Sequence, residues 1–198
     1  MADLGETIRP ATKRDAATLA RLVDLAGEGL PSWLWARSAQ DGEDAFEVGQ
    51  RRAVREEGGF SYRNAHVIEV DGQVAGMLLG YRLPEPYEVG DLSELPEVVR
   101  PLVELEAQAP GTWYVNAVAV FEAFRGRGLG TQLMDLAEQL ARDSGADELS
   151  LIVAENNDGA RRLYERLGYE VRAGRPGSSA DGFSHEGDWV LMTKPSVE

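Results

Sequence analysis

Hydrophobic positions along the chain recur at two spacings, and the switches between them outline its elements. Thr7 to Arg9 reads as a short strand, after which Thr12 and Asp15 form a capping-box-like helix start. Leu19, Ala20, Leu22, Val23 and Ala26 follow at helical spacing up to Gly27. A second helical pattern runs from Gly42 to Glu57 through Ala45, Phe46, Gly49 and Ala53, and stops at Gly58-Gly59. His66–Val70, the turn pair Asp71-Gly72 and Gln73–Tyr81 predict two strands joined by a tight hairpin. Between Pro84 and Gly111 Pro, Glu and Leu dominate; this segment reads as an insertion or lid with a short helix from Glu97 to Ala107. Thr112–Val120 is a strand rich in aromatic and branched residues, and beyond the loop 121–128 a helix carries Leu133, Met134, Ala137, Leu140 and Ala141 on one face until Gly145. Glu148–Val153 is a further strand, and Ala160, Leu163, Tyr164 and Leu167 mark a helix ending at Gly168. Strands at Tyr169–Arg172 and Asp188–Thr193, flanking a mobile Gly, Ser and Pro-rich loop 173–187, complete an α/β layer whose sheet is mixed.

At 198 residues, with 43% hydrophobic and 27% charged residues, one globular domain spanning 1–198 is the expectation. No apolar run reaches the roughly 20 residues of a membrane-spanning helix, and the first residues lack a secretory signal, so no membrane association and a cytoplasmic location are expected. The absence of cysteine removes a disulfide scaffold, a thiolate nucleophile and a Cys-based zinc site; with His66 and His185 as the sole imidazoles, no metal is expected. A formal net charge of -14 argues against nucleic-acid binding and tilts partner choice toward cations.

The segment Arg125-Gly126-Arg127-Gly128-Leu129-Gly130 lies between a strand and a helix. Peptide N–H groups of the turn and of the helix start can converge there on an anion, glycine lets a ligand approach the backbone, and the two arginines add charge. The dinucleotide fingerprint fails because Thr131 stands where a glycine is required, and the triphosphate loop fails for lack of Gly-Lys-Ser/Thr. The shape suits a diphosphate; the turn alone is equally the mark of a flexible, exposed connection.

With its flanks the segment says more. Val118-Ala119-Val120 followed by Phe124–Thr131 resembles the central motif of the GNAT superfamily of acyl-CoA-dependent acetyltransferases, with Arg125, Gly128 and Gly130 on its Gln/Arg-x-x-Gly-x-Gly/Ala core. Asn157–Tyr169 resembles the family's second block through Asn157, Ala160, Leu163, Tyr164, Gly168 and Tyr169. The resemblance covers Trp113 to Tyr169, with Glu122 standing where many members carry proline. It implies a mixed, largely antiparallel central sheet with helices on both faces, and acetyl-CoA as acetyl donor. Backbone groups of Val118, Ala119 and Val120 would then bind the acetyl carbonyl and pantetheine arm. Amides of Arg125, Gly126, Arg127, Gly128, Leu129, Gly130 and Thr131 would take the pyrophosphate. Asn157 would bond the cofactor arm or serve as a helix N-cap, and the Tyr164 phenol would donate a proton to the departing thiolate or simply pack as a buried aromatic.

Tyr114, Asn116, Glu104 and Glu106 are the candidates for acceptor contacts or the general base, against strand packing, a buried hydrogen bond and a solvated helix face respectively. His66 reads as a strand residue and His185 as a loop residue. The implied function is transfer of an acetyl group from acetyl-CoA to a primary amine by direct attack through a tetrahedral intermediate, the acceptor being a small-molecule amine. A non-catalytic acyl-CoA-binding regulatory module and an enzyme acting on a peptide or protein amine are the alternatives. A homodimer is compatible with all three.

Overall fold

A computed structural model describes residues 5–196. In chain order the elements are β1 (Thr7–Pro10), α1 (Ala16–Ala26), α2 (Leu30–Arg37), α3 (Ala45–Ala53), β2 (Ala65–Val70), β3 (Gln73–Arg82) and α4 (Arg100–Glu106). Then come β4 (Trp113–Val120), α5 (Leu129–Asp143), β5 (Glu148–Ala154), α6 (Asp158–Arg166), β6 (Glu170–Pro176) and β7 (Asp188–Pro195). The strands form one seven-stranded sheet in the order β1-β2-β3-β4-β5-β7-β6. Pairs β1/β2, β2/β3, β5/β7 and β6/β7 are antiparallel and β4/β5 is parallel. The sheet is thus mixed and mostly antiparallel, with helices, as the sequence predicts. Residue contacts gather into two compact units: residues 5–80 with Asn116–Ala137, and Tyr81–Val115 with 138–196.

Local chemistry accounts for the elements of the first unit. The Asp71-Gly72 turn holds both residues at positive φ (54° and 77°), the conformation that closes a two-residue hairpin, and Val70 pairs with Gln73 across it. The Thr12/Asp15 capping box forms, and the Asp15 carboxylate also takes both terminal nitrogens of Arg9 on β1, tying the start of α1 to the sheet. One face of the sheet presents Val67, Met77, Leu79, Ala117 and Ala119 to Leu19 and Leu22 of α1, Trp35 of α2 and Val48 of α3. Because strand side chains alternate, the fully buried Ile68 and Leu78 lie on the opposite face, so both faces are covered.

The second unit packs Leu83, Leu105, Ala109, Tyr114, Ala154, Trp189 and Leu191 into one cluster. Thr112 Oγ1 is hydrogen-bonded both to the Ala109 carbonyl, to which it donates at 2.8 Å, and to buried Ser150 Oγ at 2.6 Å, which fixes the entry of β4 against β5. The 84–111 segment supplies α4 and its buried Leu105 to this cluster.

Four expectations need correction. Helix α2 is absent from the sequence reading: Gly29 and Pro31 there mark a helix start, Gly29 in the left-handed region and Pro31 in the first turn. The predicted 42–57 helix is confined to Ala45–Ala53, because an Asp44/Glu47 capping box sets its start and the chain turns after Ala53. Strand β6 runs on to Pro176, so residues 173–176 belong to the sheet; Gly174 and Pro176 are tolerated because β6 is an edge strand. His185 is not loosely held: it is buried and stacked on Trp189, ring centroids 3.9 Å apart and ring planes nearly parallel. Among the described residues no helix is long and apolar enough to cross a membrane.

Candidate functional site

The anion-binding turn is built in the first unit. Gly128 O accepts the first helical bond of α5, from Gln132 N–H, so the N–H groups of Leu129, Gly130 and Thr131 have no acceptor one turn back within the helix. Gly126 and Gly128 hold φ at 75° and 80°, and a Cβ built on either would meet nothing within 4 Å. Glycine is therefore needed there for its backbone conformation, while the space beside it stays open. Gly130 sits inside α5. Arg127 is half-exposed, 3.9 Å from Glu6 Oε1, and Glu6 Oε2 accepts from Gln132 Nε2 at 2.5 Å. An exposed pair of this length is worth little, so Arg127 is readily diverted to a ligand anion.

The end of β4 presents its backbone in a fixed phase. Phe121 N–H bonds Ala75 O on β3, and a Cβ on Gly76 would lie 2.7 Å from the Ala119 carbonyl, so the polar groups of Ala119 and Phe121 face β3. Val118 and Val120 are out of phase and point their peptide groups to the other edge of the strand. There the Val120 carbonyl accepts from Arg125 Nε at 3.2 Å. Asn116, on the same strand, is exposed.

The second unit holds the titratable candidates. Asn157 caps α6, its Oδ1 accepting from Ala160 N–H at 3.2 Å. Tyr164 follows two turns later, 7% exposed, with its ring 5.9 Å from that of Tyr169. Burial pushes its phenol well above the ordinary tyrosine value, so it stays protonated.

Glu104 and Glu106 part company although they stand only two positions apart on α4. Glu104 Oε2 accepts from Arg175 Nε of β6 at 2.9 Å. Glu106 Oε2 accepts from the Tyr87 hydroxyl at 2.6 Å, and the buried Tyr114 phenol also donates to this carboxylate. Burial raises the Glu106 pKa above the usual carboxylate range, and the two phenols hold it back in part. Burial likewise drives the Tyr114 hydroxyl upward, and Tyr81 stands edge-on to its ring at 5.9 Å. A carboxylate whose pKa is raised is a stronger proton acceptor when ionised than an ordinary one, and the phenols beside it stay neutral. Tyr87 was not singled out from sequence; its partner lies 19 residues away and no local spacing signals it. Among the described residues no three His, Cys, Asp or Glu side chains group so as to hold a metal ion.

The sequence profile described as the Acetyltransferase (GNAT) family matches residues 29–169. Mycothiol acetyltransferase of Corynebacterium aurimucosum is 40% identical over 62 residues, which is 31% of this chain and 20% of that protein. An N-alpha-acetyltransferase of Saccharolobus solfataricus is 28% identical over 124 residues, 62% of this chain and 65% of that protein. The chain thus matches less than two thirds of the length of either relative. The solved structure of yncA from Salmonella typhimurium with its cofactor acetyl-CoA superposes with a TM-score of 0.60 at 21% identity, covering 98% of this chain and 95% of the other. That likeness shows the fold.

Proposed function

Because the chain belongs to the GNAT acetyltransferase family, we propose that it moves the acetyl group of acetyl-CoA onto a primary amine, with Glu106 as general base and Tyr164 as donor to the departing sulfur. The observation that carries this reading is the open turn at Gly126 and Gly128 leading into the first N–H groups of α5, which have no acceptor within the helix and suit the diphosphate of a CoA thioester. Glu106 takes a proton from the acceptor ammonium, and the freed nitrogen lone pair attacks the acetyl carbonyl carbon. A tetrahedral intermediate forms and then collapses with cleavage of the carbon–sulfur bond, the surplus proton of the attacking nitrogen passing to the departing thiolate so that the amide and the CoA thiol are released. An N–H from the Val118–Val120 stretch would stabilise the oxyanion, and the Tyr164 hydroxyl would meet the negative charge on sulfur. Direct attack suits a chain without cysteine, which has no thiolate to carry the acetyl group, and a cytoplasmic site of action suits it as well.

A cationic small amine is the acceptor we favour: the chain carries a net charge of -14, and an ammonium is attracted both to a carboxylate and to the faces of Tyr81, Tyr87 and Tyr114. A peptide α-amine is the second reading, supported by the name of the Saccharolobus relative. Thiol release from acetyl-CoA measured against spermidine, an aminoglycoside, lysine and short unblocked peptides separates them. Tight CoA binding with no turnover across that panel would instead favour a non-catalytic binding module.

Gly128→Ala tests the turn. An L-residue held at φ 80° costs about 1–2 kcal/mol, and the added methyl meets no neighbour, so the effect is conformational. The expected result is a KM for acetyl-CoA raised roughly tenfold with kcat nearly kept; an unchanged KM would remove the turn from the cofactor site.

A further inference from the structure

Tyr87 lies on the stretch that joins β3 to α4, outside every helix and strand, yet its hydroxyl makes the 2.6 Å bond to Glu106 Oε2. Glu106 is the last residue of α4, and its long side chain has several torsions that its hydrogen-bond partners must fix. Tyr87 is partly buried beside Leu83, Leu105 and Tyr114, which limits where its ring can go. We infer that Tyr87 is the positioning residue of the general base: its hydroxyl holds the Glu106 carboxylate in one orientation. This rests on the reading of Glu106 as base given above.

The bond is charge-assisted and short, the kind that favours the ionised acceptor. The groups that act on Glu106 are the phenols of Tyr87 and, from β4, Tyr114. Tyr81 of β3 acts on both of those phenols. From β6, which packs on α4, Arg175 is engaged by Glu104. Burial raises the carboxyl's pKa and each phenol lowers it, so removing the Tyr87 hydroxyl must move the pKa further up. A purely structural tyrosine would alter stability without moving that titration.

The test uses the full chain labelled with 13C at the glutamate carboxyl carbons, with the Glu106 signal assigned by its loss in Glu106→Gln. Tyr87→Phe keeps the ring in its cluster and removes only the oxygen; retained near-ultraviolet dichroism checks folding. The Glu106 titration midpoint is expected to rise by about one pH unit, and the acidic limb of kcat/KM, taken with acetyl-CoA and the panel amine that turns over fastest, to move with it. Tyr114→Phe should displace the same signal in the same direction. A midpoint that stays in place in Tyr87→Phe, while Glu106→Gln still abolishes the acidic limb, would overturn the role of Tyr87 and leave Glu106 as base. A midpoint that moves beneath an unmoved rate profile would overturn the base reading and Tyr87's part in it together.

Discussion

Replacing Glu106 by glutamine is expected to lower kcat/KM by about 10²- to 10³-fold, within the range a positioned general base contributes, and to erase the rise of activity with pH that its ionisation produces. The sign follows from the site. Glu106 is active as the carboxylate, its pKa lies above the ordinary range because of burial, and activity therefore climbs as pH rises through that raised value. Folding has the opposite dependence. A carboxyl whose folded pKa is raised favours the native state when protonated, and that stability is lost as pH rises from the unfolded to the folded pKa. Glutamine is neutral at every pH, and its side-chain oxygen can still accept from Tyr87 and Tyr114. The variant should thus be at least as stable as the parent at neutral pH while losing activity. Melting curves and pH–rate profiles measured on the same preparation check both halves, and a variant that retains the acidic limb would exclude Glu106 as the base.

The pairing of Glu106 with phenols also shows what the sequence could and could not tell. Hydrophobic period, capping residues and glycine stops are local, so the Asp71-Gly72 hairpin, the Thr12/Asp15 helix start and the stops at Gly145 and Gly168 could be read directly, and both terminal glycines do take positive φ (68° and 89°). The family resemblance lay in two short blocks and located the turn before α5 and the Asn157–Tyr169 stretch. Helix α2 escaped because Pro31 and the tryptophans at 33 and 35 mask its period: only Leu30 and Trp35 of its eight residues are buried, which leaves no clear apolar stripe. The choice between Glu104 and Glu106 was partly legible, since residues two apart on a helix face different ways and cannot share one site. Which of them was buried was not, because that depends on Tyr87 and Arg175, 19 and 71 residues from their partners. Likewise the Ser- and Gly-rich composition of 177–187 concealed a buried histidine, whose cover is Trp189 on the following strand. At Gly126 and Gly128 composition and structure agree on glycine for different reasons: close approach of a ligand in the one, positive φ in the other.

Tyr164→Phe is expected to lower kcat by roughly 30-fold, the loss of about 2 kcal/mol from one hydrogen bond to a charged partner, with acetyl-CoA affinity nearly intact. The size reflects the phenol's environment. Its pKa is pushed far above that of a thiol by burial, so full proton transfer to the thiolate is uphill, and the hydroxyl contributes chiefly as a donor to charge that develops on sulfur. That charge exists in the transition state and not in bound acetyl-CoA, which places the effect in kcat instead of KM. Phenylalanine keeps the ring beside Tyr169, so stability should change little. Two results discriminate this role from simple packing. The penalty should shrink when the acetyl donor carries a more acidic thiol, because less charge then needs support, and the parent should show no alkaline fall in kcat from this phenol below pH about 10. A kcat unchanged at saturating substrates would remove Tyr164 from the reaction, and a penalty of equal size with every thioester would assign the loss to altered packing around α6.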